Sequence, residues 1–334
     1  NELGWESTTG INIGLDFGIF DNRLYGNIEY YNNDTEDILY NIQIPYMTGF
    51  STVPTNIGKV HNYGIEFMLT GVLMRRADFN WEASVNFARN RNQIKSILGV
   101  DNDGDGVEDD IVTNQLFIGE PQNVVFDYKI IGMWQLEDEQ EGQMPNGFFA
   151  GQYKIEDTNE DEVYSPDDRQ ILGYRDPSYR LGISSRFSYK NWGLYIFINS
   201  IQGGKNYYFA DGSPYTDGSQ YKIDQISYSN ASGWDYWMPE NPNAKYRRLD
   251  IPSQFHPSPY DQRNFVRLQD ISLSYKFGRE LMDKIGIGNL KLYVSGKNLL
   301  TITKWEGWDP ETGVGIRSGL PVMAGYTFGL NLEF

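Results

Sequence analysis

The sequence predicts an all-β chain, the carboxy-terminal portion of a large outer-membrane β-barrel, on three observations. The last fourteen residues, PVMAGYTFGLNLEF, carry an apolar or aromatic side chain at every second position (Val322, Ala324, Tyr326, Phe328, Leu330, Leu332, Phe334). Side chains of a strand alternate between its faces, so this segment offers lipid one apolar face while Met323, Gly325, Thr327, Gly329, Asn331 and Glu333 line the other. Second, similar alternation recurs along the chain, yet no apolar run approaches the ~18 residues of a membrane-spanning helix. Third, 15% of the residues are aromatic, among them 24 tyrosines and 8 tryptophans, an excess that suits interfacial girdles or sugar-binding surfaces.

The strands follow in order. Ile11, Ile13, Leu15, Phe17 and Ile19 share one face of the first. After a turn at Asp21 and Asn22, Leu24, Gly26, Ile28 and Tyr30 mark the second. Ile65, Phe67 and Leu69, then Phe79, Trp81, Ala83, Val85 and Phe87, form the next pair around a short connection at 75–78. Segments 124–133, 180–190, 192–202, 264–277, 289–301 and 321–334 bring the count to ten.

Outer-membrane barrels alternate short periplasmic turns with long extracellular loops and end in the periplasm. Counted forward from Asp21 and backward from Phe334, the loop sides disagree by one strand. One further strand is therefore expected between Gln93 and Tyr179, for about eleven in all. The long extracellular loops are expected near 35–62, 93–121, 135–179, 203–263 and 303–320. Eleven is odd, whereas large transporters close about 22 strands around a plugged lumen, so residues 1–334 read as roughly the second half of one. The opening NELGWESTTG shows no starting methionine, basic n-region or apolar h-region, as expected of a carboxy-terminal fragment of an exported protein.

Charge and rare residues narrow the function. Acidic residues number 45 against 28 basic, a net −17, which argues against nucleic acid because no surplus of cations neutralises phosphates. There is no cysteine, so thiolate chemistry is excluded. The two histidines, His61 and His256, stand in no metal or catalytic spacing. Neither a G-x-S-x-G elbow nor a phosphate-cradling loop occurs, and no enzyme activity is expected.

Several ordered stretches resemble the SusC/RagA family of TonB-dependent outer-membrane transporters of Bacteroidota. They are LGWESTTGINIGLDFGIFDNRLYGNIEYYNNDTEDIL (3–39), TNIGKVHNYGIEFML (55–69), FNWEASVNFARNRNQI (79–94), YWMPENPNAKYRRL (236–249), NFVRLQDISLSYKF (264–277) and LKLYVSGKNLLTITKWEGWDPETG (290–313). The resemblance implies import of oligosaccharides or peptides captured by a SusD-like surface lipoprotein and powered by TonB. It implies a barrel set in outer-membrane lipid of a Gram-negative bacterium. The family's plug domain and TonB box have no counterpart in this chain. Two other readings stay open from the residues alone. One is a soluble, secreted glycan-binding β-sandwich, and the other an outer-membrane barrel subunit of a secretion or assembly machine.

Candidate ligand residues lie in the long connections. DTNEDEVYSPDD (157–168) puts Asp157, Asn159, Asp161 and Asp168 at the 1, 3, 5 and 12 positions of an EF-hand-like loop, a candidate calcium site because calcium takes six to eight hard oxygens. Glu162 stands where such a loop turns on glycine, which favours a solvated acidic loop instead. Asp101, Asp103, Asp105 and Gly106 begin the same pattern, but Val112 cannot supply its closing carboxylate. Within 203–263, Tyr207, Tyr208, Tyr215, Tyr221, Trp234, Tyr236 and Trp237 suit carbohydrate rings or a protein interface, and Trp234, Tyr236 and Trp237 are the candidates for substrate or lid contact. Packing of the loop on itself is the competing reading. Arg89, Arg91, Arg247, Arg248, Arg263 and Arg267 are candidate rim charges that can equally pair with local carboxylates.

Overall fold

The computed structural model describes residues 3–43, 52–207, 235–248, 255, 257–313 and 321–333. In chain order its strands open with β1 (Ser7–Ile19), β2 (Leu24–Glu36), β3 (Leu39–Gln43), β4 (Thr52–Asn56), β5 (Lys59–Arg75) and β6 (Phe79–Ser96). There follow β7 (Val124–Tyr128), β8 (Ile130–Met133), helix α1 (Leu136–Gln140), β9 (Tyr153–Ile155), β10 (Arg169–Tyr174), β11 (Pro177–Tyr189) and β12 (Trp192–Gly203). The chain continues with β13 (Lys205–Asn206), β14 (Asp261–Gln262), β15 (Phe265–Lys276), α2 (Arg279–Ile285), β16 (Asn289–Thr303) and β17 (Gly325–Glu333).

Nine of these strands make one antiparallel ladder in the order β1-β2-β5-β6-β11-β12-β15-β16-β17, so each pairs with the next ladder strand in sequence. Register carries the alternation across strands, because directly opposed residues share a face. Leu15, Ile28, Phe67, Phe87 and Leu181 stand side by side from β1 to β11. Leu194, Leu273, Val294 and Phe328 do the same from β12 to β17. This apolar face is not covered within the chain. Leu15 is 60% exposed and Phe328 81%, and Ile183, in the middle of the ladder, still 37%. A sandwich would bury that face against a second sheet, so the soluble β-sandwich reading gives way to a sheet whose apolar side meets lipid. Near one end of the strands Trp81 stacks on Phe187 at 5.3 Å and Trp192 meets Tyr275 at 4.8 Å, the beginnings of an aromatic girdle.

The connections alternate in length. At one end are tight turns at 20–23, 76–78 and 190–191, and the α2 segment between β15 and β16. In the first turn Phe20, Asp21 and Asn22 all adopt positive φ, which short polar side chains tolerate best. The α2 segment stops at Gly286, left-handed at φ +67°, a conformation a Cβ would strain. Long connections leave the opposite end.

The ladder holds nine strands among the described residues rather than the expected eleven, and the difference lies between Gln93 and Tyr179. No hidden barrel strand occurs there, and 124–133 is not one either. It breaks at Lys129 into β7, paired with β10, and β8, paired with β9, in two small sheets outside the ladder. Val124 and Val125 are both buried, so the segment is apolar on two faces rather than alternating toward lipid. Removing that strand instead of adding one restores the up-and-down order.

The compact core belongs to the long connections. Trp134, Phe148, Ile155 and Phe255 form one buried cluster, with Tyr128, Met144 and Tyr164 packed against it. Ala150, Trp237 and Ala244 form a second with Met133.

Candidate functional site: the polar face and the assembly beyond it

The face opposite the apolar band is polar. Asn27, Glu29, Glu66, Asn86, Arg180 and Asn199 border a depression of about 290 Å³ on it. Register explains its charge. Glu29 lies directly across from Glu66, Glu66 from Ala88, and Ala88 from Arg180, so two like charges and one opposite charge stand in a row with a small residue between. Carboxylates directly opposed repel, and a lumen face filled by water or protein tolerates this where a packed core would not. Thr70, nearly solvent-free, meets the Ser84 hydroxyl at 2.7 Å on the same face.

Beyond the long-connection ends, the loop aromatics turn inward. Trp237 is 4% exposed; its indole Nε1 donates to Gln135 Oε1 at 3.0 Å and Arg248 stacks 5.5 Å from its ring. Gly151, at φ +85°, passes so close to the indole that a Cβ there has no room. Tyr236 forms a parallel bridge with Tyr246. Trp234, like Tyr208, Tyr215, Tyr221 and His256, lies outside the described residues. Of the three aromatic candidates, Trp237 is therefore held inside the loop assembly and Tyr236 is half-buried beside it.

The polar groups of this assembly are tightly paired. Lys245 bridges Asp261 at 2.6 Å and Glu306 at 3.0 Å, and the Tyr246 hydroxyl donates to Glu306. Burial and then the Glu306 hydrogen bond push the Tyr246 phenol far up. Burial opposes the charge on Glu306, yet hydrogen bonds from Tyr246 and Lys245 hold its carboxyl below the usual range. Arg267 is 3% exposed and reaches Asp309 at 2.6 Å and Glu311 at 2.8 Å, so this arginine is a structural partner of local carboxylates. Arg247 is buried too.

The two acidic turns share one hydrogen-bond plan. Asp157 accepts from the amides of Asp161 and Glu162, and Asp101 from those of Gly104 and Gly106. Those last two amides hold the Asp101 carboxyl below its ordinary range. Glu160 and Glu162 take up the positive φ that Gly104 and Gly106 supply in the other turn, which explains how the loop closes without glycine. Asp168 is fully buried, and its two oxygens accept from Thr158 and Ser165 amides at 2.9 and 2.8 Å. In the other turn Asp109 takes the corresponding role, accepting from the Asn102 amide at 2.9 Å. Asp101, Asp103 and Asp109 consequently bring carboxylate oxygens within 4.8 Å of one another, and no such trio forms at 157–168 among the described residues. Hard oxygens so placed are the start of a calcium cage, short of the six to eight it needs. Asp109, rather than Asp105, completes the trio. The acidic run Glu108, Asp109 and Asp110 after Val107 offers carboxylates, but the sequence does not tell which of them closes the turn.

Comparison with known proteins accords with this geometry. Residues 1–299 match the family described as TonB dependent receptor-like, beta-barrel. TonB-dependent receptor P26 of Formosa agariphila is 29% identical over 99% of this chain and 35% of its own length. TonB-dependent receptor SusC of Bacteroides thetaiotaomicron is 28% identical over 99% of this chain and 32% of its own. Among solved structures, the RagAB peptide importer in its open-open state superposes with a TM-score of 0.75 at 25% identity, over 100% of this chain and 35% of that one. The chain thus spans about a third of the length of the relatives it matches. The family is one of transport receptors, not of enzymes. With a nine-stranded ladder apolar on one side and polar on the other, the chain belongs to the TonB dependent receptor-like β-barrel family and, within it, to the SusC/RagA kind.

Proposed function

We propose that this chain forms the carboxy-terminal part of the barrel of an outer-membrane importer that takes up oligosaccharides or peptides. Uptake is energised through TonB, and a SusD-like surface lipoprotein delivers the cargo. The observation that carries the reading is the two-faced ladder. Its apolar side carries exposed apolar or aromatic residues on every ladder strand except β6, where they are half-buried, and its polar side presents Glu29, Glu66 and Arg180 to a lumen. Closing that lumen takes about 22 strands, the others coming from a part of the protein outside this chain. The long connections and their packed clusters face the cell exterior, while the tight turns and the end of β17 face the periplasm. SusC and the RagAB importer among the relatives support both the energised import and the lipoprotein partner.

The test is uptake by cells. Deleting the gene should abolish accumulation of the cargo that induces it, and removing TonB should do the same while surface binding persists. A SusD-like lipoprotein should copurify. Secretion factors in its place, with uptake unchanged, would favour the secretion reading.

A further inference from the structure

Just beyond the ends of β12 and β15 lies an open cavity of about 500 Å³, separate from the depression on the polar face. Tyr128, Tyr153 and Tyr260 wall it, and Lys129, Lys205 and Lys245 line it. Two of these lysines are already neutralised. Lys129 pairs with Glu156 at 2.7 Å, and Lys245 with Asp261 and Glu306. Lys205 differs. Half-buried, among the described residues it donates only to the backbone carbonyl of Leu172 and has no carboxylate partner.

The backbone makes room for this lysine. Gly173 sits at a bulge of β10 with φ +140°, and a Cβ on it would come within 3.1 Å of Lys205 Cδ and 3.3 Å of Cε. The stem of Lys205 lies across this glycine, which brings the ammonium to the tyrosine-walled space. A half-buried cation without a counter-charge is costly in a protein interior, and here the chain as a whole carries −17, with carboxylates placed on the neighbouring lysines instead.

We propose that this cavity is a binding subsite for a ligand that bears one carboxylate, with Lys205 as its charge partner and the tyrosines as walls for the attached body. Its volume of about 500 Å³ holds a sugar ring or an amino-acid residue together with its neighbours, and the import reading makes the carboxylate that of an acidic sugar or of an acidic peptide. The use of the subsite in cargo passage rests on the import reading, whereas the binding itself does not.

The experiment uses the full-length protein with its lipoprotein in detergent. Calorimetric titration compares a galacturonic acid disaccharide with its methyl ester, and alanyl-aspartate with alanyl-asparagine. At least one acidic probe should bind more tightly than its neutral counterpart, and Lys205→Gln should weaken that probe about tenfold, the worth of a charge-assisted hydrogen bond. Binding of the neutral probe should not change, which certifies folding. Gly173→Ala, which crowds the lysine stem, should act in the same direction. The acidic probe that depends on Lys205 identifies the source of the carboxylate. Equal binding of acidic and neutral probes, or acidic binding untouched by Lys205→Gln, overturns the proposal. A subsite that binds while TonB-dependent uptake fails would overturn the import reading alone.

Discussion

Arg267 holds Asp309 at 2.6 Å with both side chains nearly solvent-free. The pair ties the rim of β15 to the connection after β16, with Glu311 closing the fork and Thr301 accepting from Nε at 3.0 Å. Removing Asp309 leaves the buried Arg267 guanidinium only the more exposed Glu311 as counter-charge. Asp309→Ala should therefore cost up to about 3 kcal/mol of local stability, the low end for a broken buried pair. Limited proteolysis within 304–313 reads this out, and the double replacement Arg267→Met with Asp309→Leu should recover most of the loss. Equal cleavage of the single and double variants would show that the pair does not hold the rim.

Gly151 and Trp237 are joined as backbone to ring, which makes the aromatic loop cluster sensitive to a single methyl group. Gly151→Ala should cost about 1–2 kcal/mol through the left-handed φ alone, and more through displacement of the indole. The measurement is hydrogen exchange of the Trp237 Nε1 proton, now donated to Gln135. It should speed up in the variant while exchange in the ladder strands stays unchanged.

The turn after β6 depends on pH through Glu108. One of its carboxylate oxygens accepts the amides of Ile97, Leu98 and Gly99. Burial works against the charge, but these amides and Ser96 outweigh it and hold the carboxyl below its ordinary value of about 4.5. A depressed folded value means the unfolded turn binds the proton first, so its stabilisation is complete above about pH 4.5 and is lost as pH falls through the folded value. Amide exchange at 97–99 should accelerate on acidification through that window. In Glu108→Gln the acid-dependent step should vanish; its persistence would assign the step to another group.

Much of the ladder was legible because one face had to be apolar at every second residue. β1, β2, β5, β6, β11, β12, β15, β16 and β17 each fall on a segment whose alternation is plain in the sequence. Segment 124–133 misled for a physical reason. Val124, Val125 and Phe126 are apolar because the loop assembly buries them, and a periodicity count does not distinguish burial in protein from exposure to lipid. The charged Asp127 and Lys129, both on one parity, were the contrary sign. Within the loops, side-chain partners were not legible at all. That Trp237 meets Gln135, or that Asp109 joins Asp101, depends on contacts set by tertiary closure, and composition alone left Trp237 equally suited to a ligand.

Leu15 and Asp16 are adjacent in β1 and differ in the face they occupy, which isolates the membrane assignment from every other property of the strand. Leu15 lies opposite Ile28 on the apolar face, five residues short of the tight turn at 20–23 and so well inside the lipid band. Asp16 lies opposite Asn27 on the polar face. Arginine on a lipid-facing position of a barrel costs about 2–4 kcal/mol near the bilayer midplane, whereas a lumen position is solvated and pays little. Leu15→Arg should therefore lower the equilibrium unfolding free energy of the full-length protein in lipid by that amount and reduce the fraction assembled in the outer membrane. Asp16→Arg should leave both close to the parent. Equal penalties at the two positions would mean that the apolar face is packed against protein, and the ladder would then have to be read as part of a larger soluble or subunit-covered sheet.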